Sequence, residues 1–227
     1  MAEFDPRNNR LTVKLVYYGP ALSGKTTNLI AIYDALSPVD RSDLKMVDTQ
    51  GDRTIFFEAL PAGICDRIRL KLKIFTVPGL VADDGIRRAV LSHADGVVFV
   101  ADSQRNEALR NYESFKNLEK NAALVGLDIE SLPVVIQFNK RDLAESVPEK
   151  EIEGRWRSCR LPVYFASARY GWGVEETFSG LLKGSLDFLD KRLSLKENYG
   201  YQEEEVFGRI VRSMVRPSGP EESRHNV

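Results

Sequence analysis

Between a β-branched and aromatic run, Leu11 to Tyr18, and a segment with apolar residues at helical spacing, Thr26 to Tyr33, lies Gly19-Pro20-Ala21-Leu22-Ser23-Gly24-Lys25-Thr26. A strand that enters a loop with glycines at both ends and leaves into a helix constrains the fold strongly. Such a loop can turn its backbone N–H groups inward, and the helix adds its positive N-terminal end at the same place. Lys25 supplies a point charge and Thr26, followed by Thr27, a hydroxyl for Mg²⁺. The loop is therefore expected to cradle phosphates.

The rest of the chain repeats the strand and helix alternation. Arg67 to Val77 places Ile68, Leu70, Leu72 and Ile74 at every second position, as in a half-exposed strand. Gly96 to Ala101 and Pro133 to Phe138 are continuous apolar runs, the pattern of parallel strands buried on both faces. Glu107 to Leu124 reads as a surface helix, and Val174, Phe178, Leu181, Leu182, Leu186 and Leu189 mark a long terminal one. This alternation predicts an α/β fold with a doubly wound sheet and a ligand at the carboxyl ends of its strands.

Asn139-Lys140-Arg141-Asp142 stands at such an end. The Asp142 carboxylate can accept from the two guanine N–H donors that adenine lacks, Asn139 can tie neighbouring loops together, and the Lys140 stem can lie over the base. In this position, downstream of a phosphate cradle, the tetrad predicts a guanine nucleotide as ligand.

Composition narrows the partners. The chain has 227 residues, 43% of them hydrophobic, enough for one full core with a short appendage. Its 32 basic and 33 acidic side chains give no overall electrostatic reason to expect nucleic acid or an anionic membrane as main partner. Cys65 and Cys159 are widely separated and lack companions at metal-ligand spacing, so they read as reduced thiols and imply a cytoplasmic setting. No apolar run approaches membrane-spanning length, Met1-Ala2-Glu3 suits neither a signal peptide nor myristoylation, and Arg224-His225-Asn226-Val227 holds no prenylatable cysteine, so no stable membrane anchor is expected.

Longer strings carry a more specific likeness. Val16-Tyr17-Tyr18-Gly19-Pro20, Lys25-Thr26-Thr27-Asn28-Leu29, Asp52-Arg53-Thr54-Ile55-Phe56-Phe57, Thr76-Val77-Pro78-Gly79, Gly96 to Gln104 and Asn139 to Leu143 resemble the MglA family of Ras-superfamily GTPases, the bacterial polarity and gliding-motility switches. The likeness runs from about residue 11 to 195. It implies a three-layer P-loop small GTPase with a mostly parallel central sheet flanked by helices, binding GTP or GDP with Mg²⁺. It assigns Gly19 through Thr27, Gly79, Asn139, Lys140 and Asp142 to the nucleotide. Ser167-Ala168-Arg169 stands where such a GTPase has a third base-binding loop; on its own the tripeptide reads equally as a turn before a helix. Thr26 and Thr54 become the metal ligands, and Arg53 an arginine supplied in cis to the transferring phosphoryl group. By its residues alone Arg53 is a surface arginine paired with Asp52. Thr76 occupies the place of the aspartate that most relatives use to hold a Mg²⁺-bound water, and MglA-like proteins share this threonine.

Two positions depart from the pattern. Leu80 replaces the glutamine whose amide orients the attacking water, and leucine can neither donate nor accept. Ala21 replaces a glycine, and its methyl group is expected to crowd the space beside the γ-phosphate. Both changes predict slow hydrolysis, with Asp83 or Asp84 as alternative side chains for positioning the water. The segments Gly51 to Pro61 and Val77 to Arg88 are expected to be the nucleotide-sensing switches. Ile55, Phe56 and Phe57 read either as side chains the switch presents or, for two of the three, as core packing of an edge strand. The resemblance implies a Roadblock-type, MglB-like regulator and a polar scaffold of response-regulator type as partners, with recruitment to a cell pole; the chain alone is expected to be monomeric. Residues 1–10 read as an N-terminal arm, 11–197 as the G domain and 198–227 as an extension. Within it Val206, Ile210, Val211 and Met214 recur at helical spacing, with Arg209, Arg212 and Arg216 between or beside them. That helix is read as packing on its own domain, with docking or weak membrane binding as alternatives, before a disordered tail. Trp156 and Trp172 read as packing or loop anchors.

Overall fold

In the computed structural model, described for residues 3–5, 7–49, 52–60, 69–79, 84–156, 160–200, 207–208, 210 and 214, the alternating runs become one eight-stranded sheet with helices on both faces. The strands are β1 (Glu3–Asp5), β2 (Arg10–Tyr18), β3 (Lys45–Thr49), β4 (Asp52–Ala59), β5 (Arg69–Thr76), β6 (Gly96–Asp102), β7 (Val134–Asn139) and β8 (Val163–Phe165). The helices are α1 (Lys25–Ala35), α2 (Asp84–Leu91), α3 (Ala108–Leu124), α4 (Glu149–Trp156), α5 (Val174–Leu193) and the short α6 (Leu195–Tyr199). The order across the sheet is β3-β4-β5-β2-β6-β7-β8. From β5 through β8 every neighbour is parallel, whereas β3, β4 and β5 pair antiparallel.

Side-chain alternation along β2 divides the core in two. Leu11, Val13, Leu15 and Tyr17 face a cluster completed by Leu29 and Ile32 of α1 and Phe178, Leu181 and Leu182 of α5. Val16 and Tyr18 face the other way, with Leu91 of α2, Phe115 and Leu118 of α3 and Ile152 of α4. Both continuous apolar runs, now β6 and β7, are buried along their whole length, and β5 alternates as expected. All six apolar residues that marked the terminal helix are buried on α5.

Three details add to the sequence reading. The arm pairs antiparallel with the start of β2, Glu3 opposite Thr12, and so begins the sheet. The edge strand is β3, not β4; Ile55 and Phe57 of β4 are buried while Phe56 stacks on Phe75 at 5.1 Å. In the extension, Ile210 and Met214 are buried in the α1 and α5 side of the core, and Met214 bridges to Leu36 at the end of α1. Val206, Val211, Arg209, Arg212, Arg216 and the tail, like Cys65 and Cys159, lie outside the described residues. Trp156 packs edge-on against Phe115 and Phe138, and Trp172 is 47% exposed. Among the described residues no helix is long and apolar enough to cross a membrane.

Gly96 opens β6 where α5 crosses most closely. A Cβ there would stand 2.2 Å from Ser185 Oγ and 3.0 Å from Leu181 Cδ1. Ser185 is itself buried, and its hydroxyl has no partner among the described residues. Gly96→Ala should therefore lower unfolding free energy by about 1–3 kcal/mol through overpacking. Ser185→Ala alone should be neutral or stabilising, and the double variant should regain most of the loss, all read from urea midpoints.

Candidate functional site

The carboxyl ends of β2, β6, β7 and β8 lie side by side, with Asp102 opposite Asn139 and Phe138 opposite Phe165. Each strand releases the chain into a loop at the same edge, so four loops converge there. The first is the glycine loop. Lys25 is 6% exposed and its ammonium donates to Gly19 O at 3.1 Å and Pro20 O at 2.7 Å, folding the loop around its own charge. Gly24 precedes α1 with φ 98° and ψ 21°, the left-handed region that favours glycine. Leu22 also has positive φ, 64°, and stands 82% exposed at the tip. Ser23 is buried, Thr26 half-buried in the first turn of α1, and Thr27 exposed.

Asn139 joins this loop to another. Its Nδ2 donates to Ser23 O at 2.8 Å, and its Oδ1 accepts from the Ala168 N–H at 2.9 Å. A Cβ at position 24 would lie 2.1 Å from Asn139 Nδ2, so this approach requires glycine. Lys140 has φ 68° and pairs through Nζ with the buried Asp102 carboxylate. Ser167 Oγ donates to Asp142 Oδ1, while the Ser167 and Trp172 backbones close the following turn. Asp142 and Arg169 are exposed, Ala168 buried, and the Arg169 guanidinium lies 5.6 Å from the Tyr170 ring centre. The structure thus brings Ser23, Asn139, Asp142, Ser167 and Ala168 together through hydrogen bonds, with Gly24 in close approach to Asn139.

Among the buried hydroxyls with no partner among the described residues are Ser23 Oγ of the glycine loop and Thr54 Oγ1 of β4. An unpaired buried hydroxyl costs free energy unless a ligand completes it. Phosphate oxygens suit the first and a hard cation the second, so the donor set fits a nucleotide with Mg²⁺. Among the described residues no cluster of three or more His, Cys, Asp or Glu could hold a metal by itself. Thr76 is buried at the end of β5, where its hydroxyl accepts from the Ile55 N–H at 2.9 Å and donates to Ile55 O at 3.4 Å. In place of a carboxylate, the chain has a side-chain bond that extends the β4 and β5 pairing.

The Pro78-Gly79 turn is held by a residue that the sequence reading passed over. Arg87, 1% exposed on α2, donates through Nε to Pro78 O and through NH2 to Gly79 O. Its NH1 donates to Asn117 Oδ1 at 2.6 Å and lies 3.8 Å from Asp84 Oδ1. Asn117 and Asn121 of α3 both donate to Asp84, and both bond Tyr18 at the end of β2. Burial pushes the Tyr18 phenol up, against the pull of Asn121 and Arg87. This network also engages Asp84, offered above as a water-positioning group. Gly79 packs against Ala21 so closely that a Cβ on it would fall 2.4 Å from Ala21 Cα. Arg110 of α3 reaches Ala21 O at 3.4 Å. The Arg53 backbone pairs with Asp48 in the β3 and β4 hairpin; its side chain, Leu80 and Asp83 lie outside the described residues. Inward polar residues on amphipathic helices, Arg87 on α2 and Asn117 with Asn121 on α3, were the available signal.

A phosphate-type loop, a base-side tetrad and a mixed sheet in this order define a small Ras-like GTPase. The chain is 40% identical over 186 residues to the "Mutual gliding-motility protein MglA" of Myxococcus xanthus (strain DK1622), covering 81% of this chain and 95% of that protein. No family model matches the chain. On that relationship the chain belongs to the MglA family.

Replacing Arg87 by Met should expose the strength of the network. Loss of the guanidinium takes the donor from the buried Pro78 and Gly79 carbonyls and the nearby cation from Asp84, at a cost of about 2–5 kcal/mol in urea unfolding. Arg87→Lys keeps the charge but not the fork, and should recover only part of it. Hydrogen exchange at the Gly79 amide should accelerate in both variants.

Proposed function

We propose that this protein is a guanine-nucleotide-binding regulatory switch of the MglA type, controlling cell polarity or surface motility, with impaired GTP hydrolysis. The observation that carries the reading is the convergence of the Lys25 loop with Asn139, Asp142 and Ser167 on one sheet edge. Backbone amides and the Lys25 ammonium hold the phosphates of GTP or GDP, with Thr26 and Thr54 as ligands to Mg²⁺. Asp142 accepts from the guanine edge, Lys140 covers the base, and Ala168 and Arg169 complete that side. Asp142→Ala should weaken GTP and GDP binding by roughly 10- to 100-fold in calorimetry with magnesium present, the factor a charge-assisted pair is worth. Adenosine phosphates should bind poorly to both forms.

Hydrolysis needs a group that orients water and charge that stabilises the transferring phosphoryl group. Leu80 cannot do the first; Arg53 supplies the second in cis. Single-turnover GTP hydrolysis should therefore be slow, rise at least about ten-fold in Leu80→Gln and fall at least about ten-fold in Arg53→Ala. Fast turnover by the natural sequence would contradict this assignment.

Leu80 also favours a second reading, a constitutively GTP-bound scaffold that recruits polar partners. In the switch reading, GTP orders the segments around Thr54 and Gly79 and presents Phe56 and its neighbours to an MglB-like Roadblock regulator or a response-regulator-type scaffold. The protein works from the cytoplasm, recruited to a cell pole. Partner recovery on protein loaded with a non-hydrolysable GTP analogue against GDP separates the two: nucleotide-dependent capture supports the switch, and equal capture with only GTP in the purified protein supports the scaffold.

A further inference from the structure

Between α3 and α4, over the ends of β6 and β7, lies a cavity of about 380 Å³. None of the described residues that line it is assigned to the nucleotide. Its origin is in the sequence. Of α4, which carries five charged side chains in Glu149-Lys150-Glu151-Ile152-Glu153-Gly154-Arg155-Trp156, only Ile152 is buried, so the helix has little apolar surface with which to close on α3. The facing start of α3 is the small Ala108. The wall is aromatic: Phe115 and Phe138 meet Trp156 nearly edge-on at 5.3 and 5.9 Å, and Tyr112, also lining the cavity, is 59% exposed. An apolar cavity of about 150 Å³ holds one benzene, so this one has room for two fused rings.

The buried polar groups of the wall are matched, with one exception. Asn111 donates to Asp102 O at 2.8 Å and accepts from the Asp102 N–H at 3.0 Å, and the Asp102 carboxylate accepts from Gln104 and Lys140. Ser103 donates its N–H to Asn139 O and accepts from the Val147 N–H, both at 2.9 Å. Its hydroxyl, in a residue only 1% exposed, has no partner among the described residues. A hydroxyl buried in this way costs free energy until a polar atom meets it. The charges around the cavity are already paired, Lys116 with Glu119 at 2.7 Å and Arg155 with Glu151 at 2.6 Å, so an ionic ligand gains no fresh countercharge from them. We propose that this cavity is a second ligand site, for an uncharged planar molecule of two fused aromatic rings that carries one hydrogen-bonding group. The rings lie among Phe115, Phe138 and Trp156, and the polar group meets the Ser103 hydroxyl. The site stands independently of the function proposed above.

Indole and benzothiophene, alike in size but differing in the N–H donor, are the probes, measured by calorimetry on the full chain. Each should bind with a Kd below about 1 mM, the range a fitted ligand of so few heavy atoms reaches. Ser103→Ala should weaken indole about two- to ten-fold, the factor one hydrogen bond is worth, and leave benzothiophene unchanged. Ala108→Trp, at an exposed position in the first turn of α3, fills the cavity without entering the core and should abolish binding of both. Indole-3-carboxylate should bind at least about ten-fold more weakly than indole, because its charge would be buried unmatched. No binding by either probe, or binding undiminished in Ala108→Trp, overturns the site. An equal effect of Ser103→Ala on the two probes, or none, overturns the part given to the hydroxyl; should that variant not fold, Ser103→Cys, close in size with a weak donor, is read in the same way. Carboxylate binding as tight as that of indole overturns the uncharged class.

Discussion

One carboxamide holds the site together. Asn139 is the last residue of a strand buried on both faces, and it gives its donor to Ser23 and its acceptor to Ala168. Its own carbonyl takes the Ser103 N–H, which fixes it to the neighbouring strand end. No apolar side chain of similar size can do this, because both loops present backbone polar groups that burial would leave unsatisfied. Loops far apart in sequence thus become one rigid body, at the cost of requiring a glycine at position 24. The glycine loop and the loops that follow β7 and β8 take their position from that body.

The opposite side of the site is governed by a buried charge. A guanidinium taken out of water is costly, and Coulomb attraction to one carboxylate seldom repays it. Arg87 instead has two backbone carbonyls, an asparagine, a nearby carboxylate and the Tyr18 ring, 5.5 Å from its centre. The Pro78-Gly79 turn therefore takes its position from α2 and α3 as much as from β5. Thr76 contributes separately, by fastening β4 to the end of β5.

Elements with a strong period were legible in the sequence. β6 and β7 are read from unbroken apolar runs, α5 from six inward residues, and the glycine loop from the strand and helix around it. The hairpin of β3 and β4 was harder, because Lys45-Met46-Val47-Asp48-Thr49 has little apolar content and owes its strand form to pairing with β4. The same holds for β1. Asn139, Asp142 and Ser167 could be brought to one place by their positions at strand ends, whereas the bonds of Asn139 to Ser23 and Ala168 and of Ser167 to Asp142 are visible only in the structure. Arg87, Asn117, Asn121 and Asp102 were missed since a lone polar residue on a helix face or strand end carries no period, and its partners lie on other elements.

The polar cluster of Tyr18, Asp84, Arg87, Asn117 and Asn121 also bears on how this lineage can drift. Each member satisfies another, so exchanging any one alone leaves a buried or half-buried polar group without its partner. Descendants should keep the five together or replace several in concert. The cluster is thus a mutational ratchet beneath the turn, one that holds even where surface residues around it diverge freely.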